Sequence, residues 1–146
     1  MTEDLQRDGY VVSADRSRLD LAVIYGFLHS AYWCAGIPKA TVARAIEGSL
    51  PFGAYKNDQQ VGFARVVTDY ATFAYLADVF VLPEHRGRGV SKLLMEAINS
   101  HPRLQDLRTW MLKTRDAHGL YRQFGFAPTT SPERVMERTI PDLYKR

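Results

Sequence analysis

The chain has 146 residues, one cysteine, four histidines and a formal charge of +3 at pH 7. A lone cysteine excludes an internal disulfide framework, and the scattered histidines give no metal-ligand spacing. No stretch approaches the length of a membrane span, the polar Met1–Gly9 lacks an apolar signal core, and the basic residues form no long runs. The expectation is one domain, 1–146, in the cytoplasm, with a small anionic ligand and neither nucleic acid nor membrane as partner.

In chain order, Tyr10–Ser13 reads as a first strand after a loose start. Ser17–Ser30 reads as a helix, with a helical stripe in Leu19, Val23 and Phe27 together with Ala22 and Leu28. Residues 31–36 are an aromatic break, and Lys39–Ser49 is a second helix with Val42, Ala43 and Ile46 inward. Phe52–Tyr55 and Gln60–Thr68 are strands about the turn Lys56–Gln59. Asp69–Thr72 turns the chain into a central strand, Phe73–Leu82, interrupted in its apolar run by Asp78. Pro83 stops that strand, because it cannot donate to a ladder.

Next comes the basic loop Arg86-Gly87-Arg88-Gly89, running directly into a helix with Val90, Leu93, Leu94, Ala97 and Ile98 on one face. His101-Pro102 ends the helix. Leu107–Leu112 is a strand, Thr114 is an N-cap for a helix over 116–124, and Gly125 stops it. Phe126–Pro128 and Arg134–Arg138 are the last predicted strands.

A strand, a glycine turn and a helix start together make an anion site. The first amides of a helix lack internal partners, and its dipole adds partial positive charge. Gly87 and Gly89 let the backbone approach a ligand, and Arg86 and Arg88 add charge, so phosphate or diphosphate is the expected guest. A plain surface turn with solvated arginines is the bland alternative. No Gly-Lys-Ser/Thr of a Walker loop follows, and the full dinucleotide fingerprint fails.

Val81-x-x-x-x-Arg86-Gly87-x-Gly89-x-Ser91 resembles the acetyl-CoA loop of the GCN5-related N-acetyltransferase (GNAT) family, whose pattern is Arg/Gln-x-x-Gly-x-Gly/Ala. Ser91 departs from the usual Gly or Ala. Thr114-x-x-Ala117-x-x-x-Tyr121-x-x-x-Gly125-Phe126 is similar to the family's Asn-x-x-Ala-x-x-x-Tyr…Gly-Phe element, with Thr114 in place of Asn. Together these cover Gly53 to Phe126.

The resemblance implies an α+β fold, an α/β/α sandwich in the order β-α-α-β-β-β-α-β-α-β, whose mixed sheet is mostly antiparallel. It also implies acetyl-CoA as cofactor. Its pantetheine arm would pair with the backbone of Val79, Phe80 and Val81. Its diphosphate would meet the amides of Gly87, Arg88, Gly89, Val90, Ser91 and Lys92, with Arg86 alongside, and Thr114 and Ala117 complete the set. Tyr121 matches the tyrosine that protonates the departing thiolate; a phenol is protonated at neutral pH and can donate.

A base is less evident. Asp78 corresponds to a carboxylate that looks like a substrate-amine contact in polyamine acetyltransferases; it would hold a cationic amine or pass its proton to water. Otherwise it is a structural aspartate capping backbone N–H groups near a β-bulge. Tyr75 stands where many members carry Glu or His and is a poor base. His118, three residues before Tyr121, is a base, an acceptor contact or a locally bonded histidine. His85 reads as a solvated neighbour.

Tyr32, Trp33 and Tyr75 are candidates for an aromatic acceptor pocket by analogy, and Phe52 and Phe73 read as core. The implied activity is direct acetyl transfer, in a ternary complex, to a primary amine of a small molecule. A peptide or protein amine is the alternative acceptor, and a non-catalytic acyl-CoA sensor is the alternative of another class. A homodimer is expected from the resemblance alone.

Overall fold

Asp8 and Gly9, both at positive φ, close a two-residue hairpin between β1 (Leu5–Arg7) and β2 (Tyr10–Ser13). Asn57 and Asp58 do the same between β3 (Leu50–Lys56) and β4 (Gln59–Thr68). Paired left-handed residues twist such turns in the same sense as the strands they join. The computed structural model describes residues 4–145. With β5 (Phe73–Val81) and β6 (Thr109–Leu112), the strands form one sheet in the order β1-β2-β3-β4-β5-β6. All neighbours are antiparallel except the parallel pair β5/β6.

The sheet is covered on both faces. On one, α1 (Leu21–Leu28) and α2 (Lys39–Glu47) bury Ile24, Leu28 and Val42 against Phe63 and Phe80. The other face carries α3 (Val90–Ser100) and the short α4 (His118–Arg122). Val90, Leu93, Leu94, Met95, Ala97 and Ile98 of α3 are buried there, against a core that includes Val12, Phe52, Ala54 and Val61. Each of these side chains except Ala97 contributes roughly 1.5–3 kcal/mol when fully buried, so packing rather than propensity holds α3 in place. The α/β/α layering expected above is therefore present.

Two irregularities make the site. Phe63 faces Phe80 but Arg65 faces Ala77, so Ala64 alone opposes Asp78 and Val79. This β-bulge puts Asp78 at φ 54°. Then β6 stops: its pairing with β5 runs from Phe73↔Thr109 to Leu76↔Leu112. Beyond Leu76, β5 continues to Val81 with that edge unpaired among the described residues.

Several expected boundaries shift. The segment just ahead of Tyr10 is not loose, since Leu5–Arg7 pairs with β2; for residues 1–3 the expectation lies outside the described residues. The helix expected over Ser17–Ser30 splits: Leu19 is extended, and the Asp20 side chain accepts the Ala22 and Val23 N–H groups to start α1. The last two strands do not form. Pro128 and Pro132 remove donors, and Arg134–Arg138 is exposed throughout, with no face to bury. Phe73, read as core, is 37% exposed near the sheet edge.

Candidate active site

The loop after β5 presents a row of free amides. From Gly87 to Lys92 no backbone N–H finds an acceptor among the described residues; the Leu93 amide, bonded to Gly89 O at 3.0 Å, is the first satisfied one. Six consecutive unpartnered donors could together hold the oxygen atoms of an anion. Gly87 and Gly89 stand at φ 75° and 80°, and an added Cβ would meet nothing within 4 Å at either. Backbone conformation, not crowding, therefore calls for glycine here. Arg86 Nε donates to Val81 O at 2.9 Å, pinning the loop to the end of β5. Val81, Arg86, Gly89 and Ser91 help line a groove of about 330 Å³ over the amides.

His85 also lines that groove. It is not a solvated neighbour: its Nδ1 lies 2.8 Å from the hydroxyl of buried Tyr10.

The free edge of β5 runs up to the groove at Val81. Phe80 stacks on Phe27 at 4.1 Å between ring centroids and belongs to the α1/α2 core, so only its backbone is available to a ligand. Val79 packs against the other core, and Val81 is buried in it. The fit to the acetyl-CoA expected above thus rests on backbone: unpaired strand edge for an amide-bearing arm, then unpaired amides for a diphosphate.

Tyr121 is set by the way α4 ends. Phe126 N–H donates to Tyr121 O and Gly125 N–H to Arg122 O, with Gly125 at φ 91°. This 6→1 and 5→2 pair is a Schellman stop, and its customary apolar contact is here Phe126 against the Tyr121 ring, 6.1 Å between centroids. The Gly-Phe after the tyrosine is thus a clamp on that side chain. Tyr121 is 8% exposed, and its hydroxyl makes no hydrogen bond to a described residue. Burial first, then the charge of Asp116, push its pKa up to about 12. Thr114 Oγ1 accepts the Ala117 N–H at 3.0 Å and shapes the turn into α4, while Ala117 precedes the helix without a side-chain cap.

Asp78 is fully engaged. Its Oδ2 accepts from Arg65 Nε at 2.6 Å and its Oδ1 from Trp33 Nε1 at 2.8 Å. Arg65 also donates to Ser49 Oγ at 3.0 Å. The chain Ser49–Arg65–Asp78–Trp33 ties the end of α2, both central strands and the α1–α2 break together. Asp78 is the bulge residue, as one reading had it, but its partners are side chains rather than backbone amides.

Tyr32 and Trp33 are exposed, 54% and 42%. The Arg115 guanidinium sits 3.8 Å over the Tyr32 ring, joining the break to the segment ahead of α4. Tyr75 lies half-buried on β5, before the bulge. His118 opens α4 exposed to solvent while Tyr121 is buried, so their three-residue spacing does not turn both into the site.

Arg65, Ser49 and Arg115 are participants that the sequence reading passed over. A signal existed for the first: opposite charges interrupt two neighbouring apolar strands, at Arg65 and Asp78.

Sheet, bulge, unpaired edge and amide row together define an α+β acyltransferase scaffold. The Acetyltransferase (GNAT) domain model matches residues 47–128. A curated protein from Gibberella zeae that carries an acetyltransferase name is 32% identical over 143 residues, 82% of this chain and 80% of its own. A crystal structure from Xanthomonas campestris pv. campestris, of a protein assigned to the GNAT family, is 54% identical with a TM-score of 0.91, covering 94% of this chain and 97% of that one. The ribosomal-protein-S18-alanine N-acetyltransferase of Escherichia coli shares the fold at 23% identity and a TM-score of 0.67, over 83% and 79% of the two chains. The chain belongs to the GNAT family and is an N-acetyltransferase. Among the described residues, no helix is long and apolar enough to cross a membrane.

Proposed function

We propose that the protein moves an acetyl group from acetyl-CoA directly to a primary amine of a small molecule, with both bound at once. The row of unpartnered amides from Gly87 to Lys92 carries this reading, because it is built for a diphosphate and lies at the end of a strand edge open to pairing. Acetyl-CoA supplies the activated thioester. Loop and strand hold it, which makes most of the catalysis a matter of positioning.

Tyr121 stays a phenol at neutral pH, its pKa near 12. Complete transfer of its proton to a thiolate of ordinary pKa, about 8.5, is uphill by roughly a thousandfold. Its contribution is therefore a hydrogen bond offered to the sulfur as negative charge develops there. Asp78, with both oxygens engaged, serves as the anchor of Trp33 rather than as a free base. That leaves deprotonation of the acceptor to solvent, and it is also the observation that favours the sensor alternative.

Free thiol is followed with acetyl-CoA and a panel of amines, and thermal shift with acetyl-CoA alone. The enzyme releases thiol with at least one amine. Tyr121→Phe retains the thermal shift and loses 10- to 100-fold in kcat. A shift without release in any case would favour the sensor, and no shift would remove both readings.

A further inference from the structure

On the far side of Trp33 from its hydrogen bond to Asp78, a second cavity of about 480 Å³ lies between the α1–α2 break and the C-terminal segment, with Tyr32, Trp33, Arg138, Ile140 and Tyr144 in its walls. Tyr144 packs with the α1/α2 core, and its carbonyl approaches Gly36 so closely that a Cβ there would lie 2.7 Å from it. The C-terminal segment is thereby held against the break.

The charges around this cavity can be matched one by one. Asp142, in the wall, pairs with Lys145 at 3.4 Å. Asp78, which holds Trp33, pairs with Arg65 at 2.6 Å. Asp116 pairs at 3.5 Å with Arg115, the residue stacked on Tyr32. Glu137, next to Arg138, pairs with Lys113. Four carboxylates are met by four cations, and Arg138 remains, lining the cavity with no hydrogen bond or ion pair to any described residue.

A wall with a spare guanidinium and, among the described residues, no spare carboxylate disfavours an acceptor with several positive charges, such as a polyamine or a lysine-rich peptide. It favours an anion, which the planar fork of arginine binds through paired N–H donors. The exposed rings of Tyr32 and Trp33 offer an apolar surface next to it. We infer that the acceptor is a small amine carrying its own anionic group, carboxylate or phosphate. The amine points toward Tyr121, the anion toward Arg138, and the body rests on Tyr32 and Trp33. This rests on the acetyltransferase reading above.

Initial rates of thiol release from acetyl-CoA test it with phenylalanine, O-phosphoethanolamine, phenethylamine and spermidine as acceptors. The expected result is a kcat/KM at least tenfold higher for an anionic amine than for phenethylamine, and lowest for spermidine; the better of the two anionic amines tells carboxylate from phosphate. Arg138→Gln, at an exposed position, lowers the anionic-to-phenethylamine ratio about tenfold, and Arg138→Lys restores part of it. A preference for phenethylamine or spermidine, or a ratio that Arg138→Gln leaves unmoved, overturns the inference. If none of the four turns over, tryptophan fluorescence of the CoA-saturated protein decides: N-acetylphenylalanine must bind more tightly than N-acetylphenethylamine, and equal or absent binding overturns it. Loss of the acetyl-CoA thermal shift would overturn the acetyltransferase reading itself. A retained shift with no preference for the anion overturns the acceptor class alone.

Discussion

Asp78 occupies a left-handed backbone position, φ 54°, that aspartate and asparagine tolerate better than most residues. Two substitutions separate its roles. Asp78→Asn keeps the backbone preference and an oxygen for Trp33 but removes the charge facing Arg65. Asp78→Ala removes every partner, leaves a largely buried guanidinium unpaired, and adds left-handed strain of about 1–2 kcal/mol. In chemical denaturation, Ala is expected to cost about 3 kcal/mol and Asn about half that. With Asp78 as an anchor, the acid limb of the kcat/KM–pH profile stays in place in the Asn variant while kcat falls several-fold. Disappearance of that limb would instead make Asp78 the base. At this scale the sequence was informative about Tyr121, because a tyrosine four residues before Gly-Phe brings its own Schellman clamp. Of Ser49–Arg65–Asp78–Trp33 it hinted only at the opposed charges of Arg65 and Asp78, because the members lie up to 45 residues apart.

Among the elements, the β5–loop–α3 unit is the one to which the proposal assigns cofactor binding, and its two glycines test it cleanly. An alanine at Gly87 or Gly89 would touch nothing, so its effect is the cost of a Cβ at positive φ, about 1–2 kcal/mol. Gly89→Ala is expected to lower the melting temperature by a few degrees, since 1 kcal/mol corresponds to roughly 3–5 °C for a domain of this length. It should also weaken CoA about tenfold in isothermal titration, because relaxing φ turns the amide row away from its common focus. Unchanged affinity in a folded variant would mean that the row does not bind the diphosphate. This unit was readable in advance because every part is local: an apolar run, a proline stop, two glycines and a helical stripe. The last strands misled for the same reason. Arg134–Arg138 has the composition of a strand, but no neighbour offers it a ladder and no face of it is buried.

Over the whole molecule, stability depends on a group far from the chemistry. His101, 4% exposed, follows α3 and accepts the Arg103 N–H on Nδ1 at 3.1 Å, which requires that nitrogen unprotonated. Burial first, and then the charge of Arg103, lower its pKa below the usual 6.5. The unfolded chain thus takes up a proton that the folded one resists. This contribution is complete above about pH 6.5 and is lost as pH falls below it. Urea midpoints are expected to drop between pH 7.5 and 5, and His101→Asn, which can still cap, should shrink that difference. An equal pH difference in the variant would point to other groups.

What the sequence alone determined were the features encoded within a few residues of each other: the amide loop, the tyrosine and its clamp, the apolar stripe of α3 and the turns, whereas α1 buries Ile24 and Leu28 rather than Leu19, Val23 and Phe27. Hydrogen-bond reach and backbone preference suffice for these, so they survive without knowledge of neighbours. Only the tertiary structure decided which edge of β5 stays open, that Asp78 is spoken for by Arg65 and Trp33, and that Arg138 faces the cavity without a counter-charge among the described residues. Each of those depends on where a distant strand ends or a distant side chain arrives, and no local pattern records the meeting.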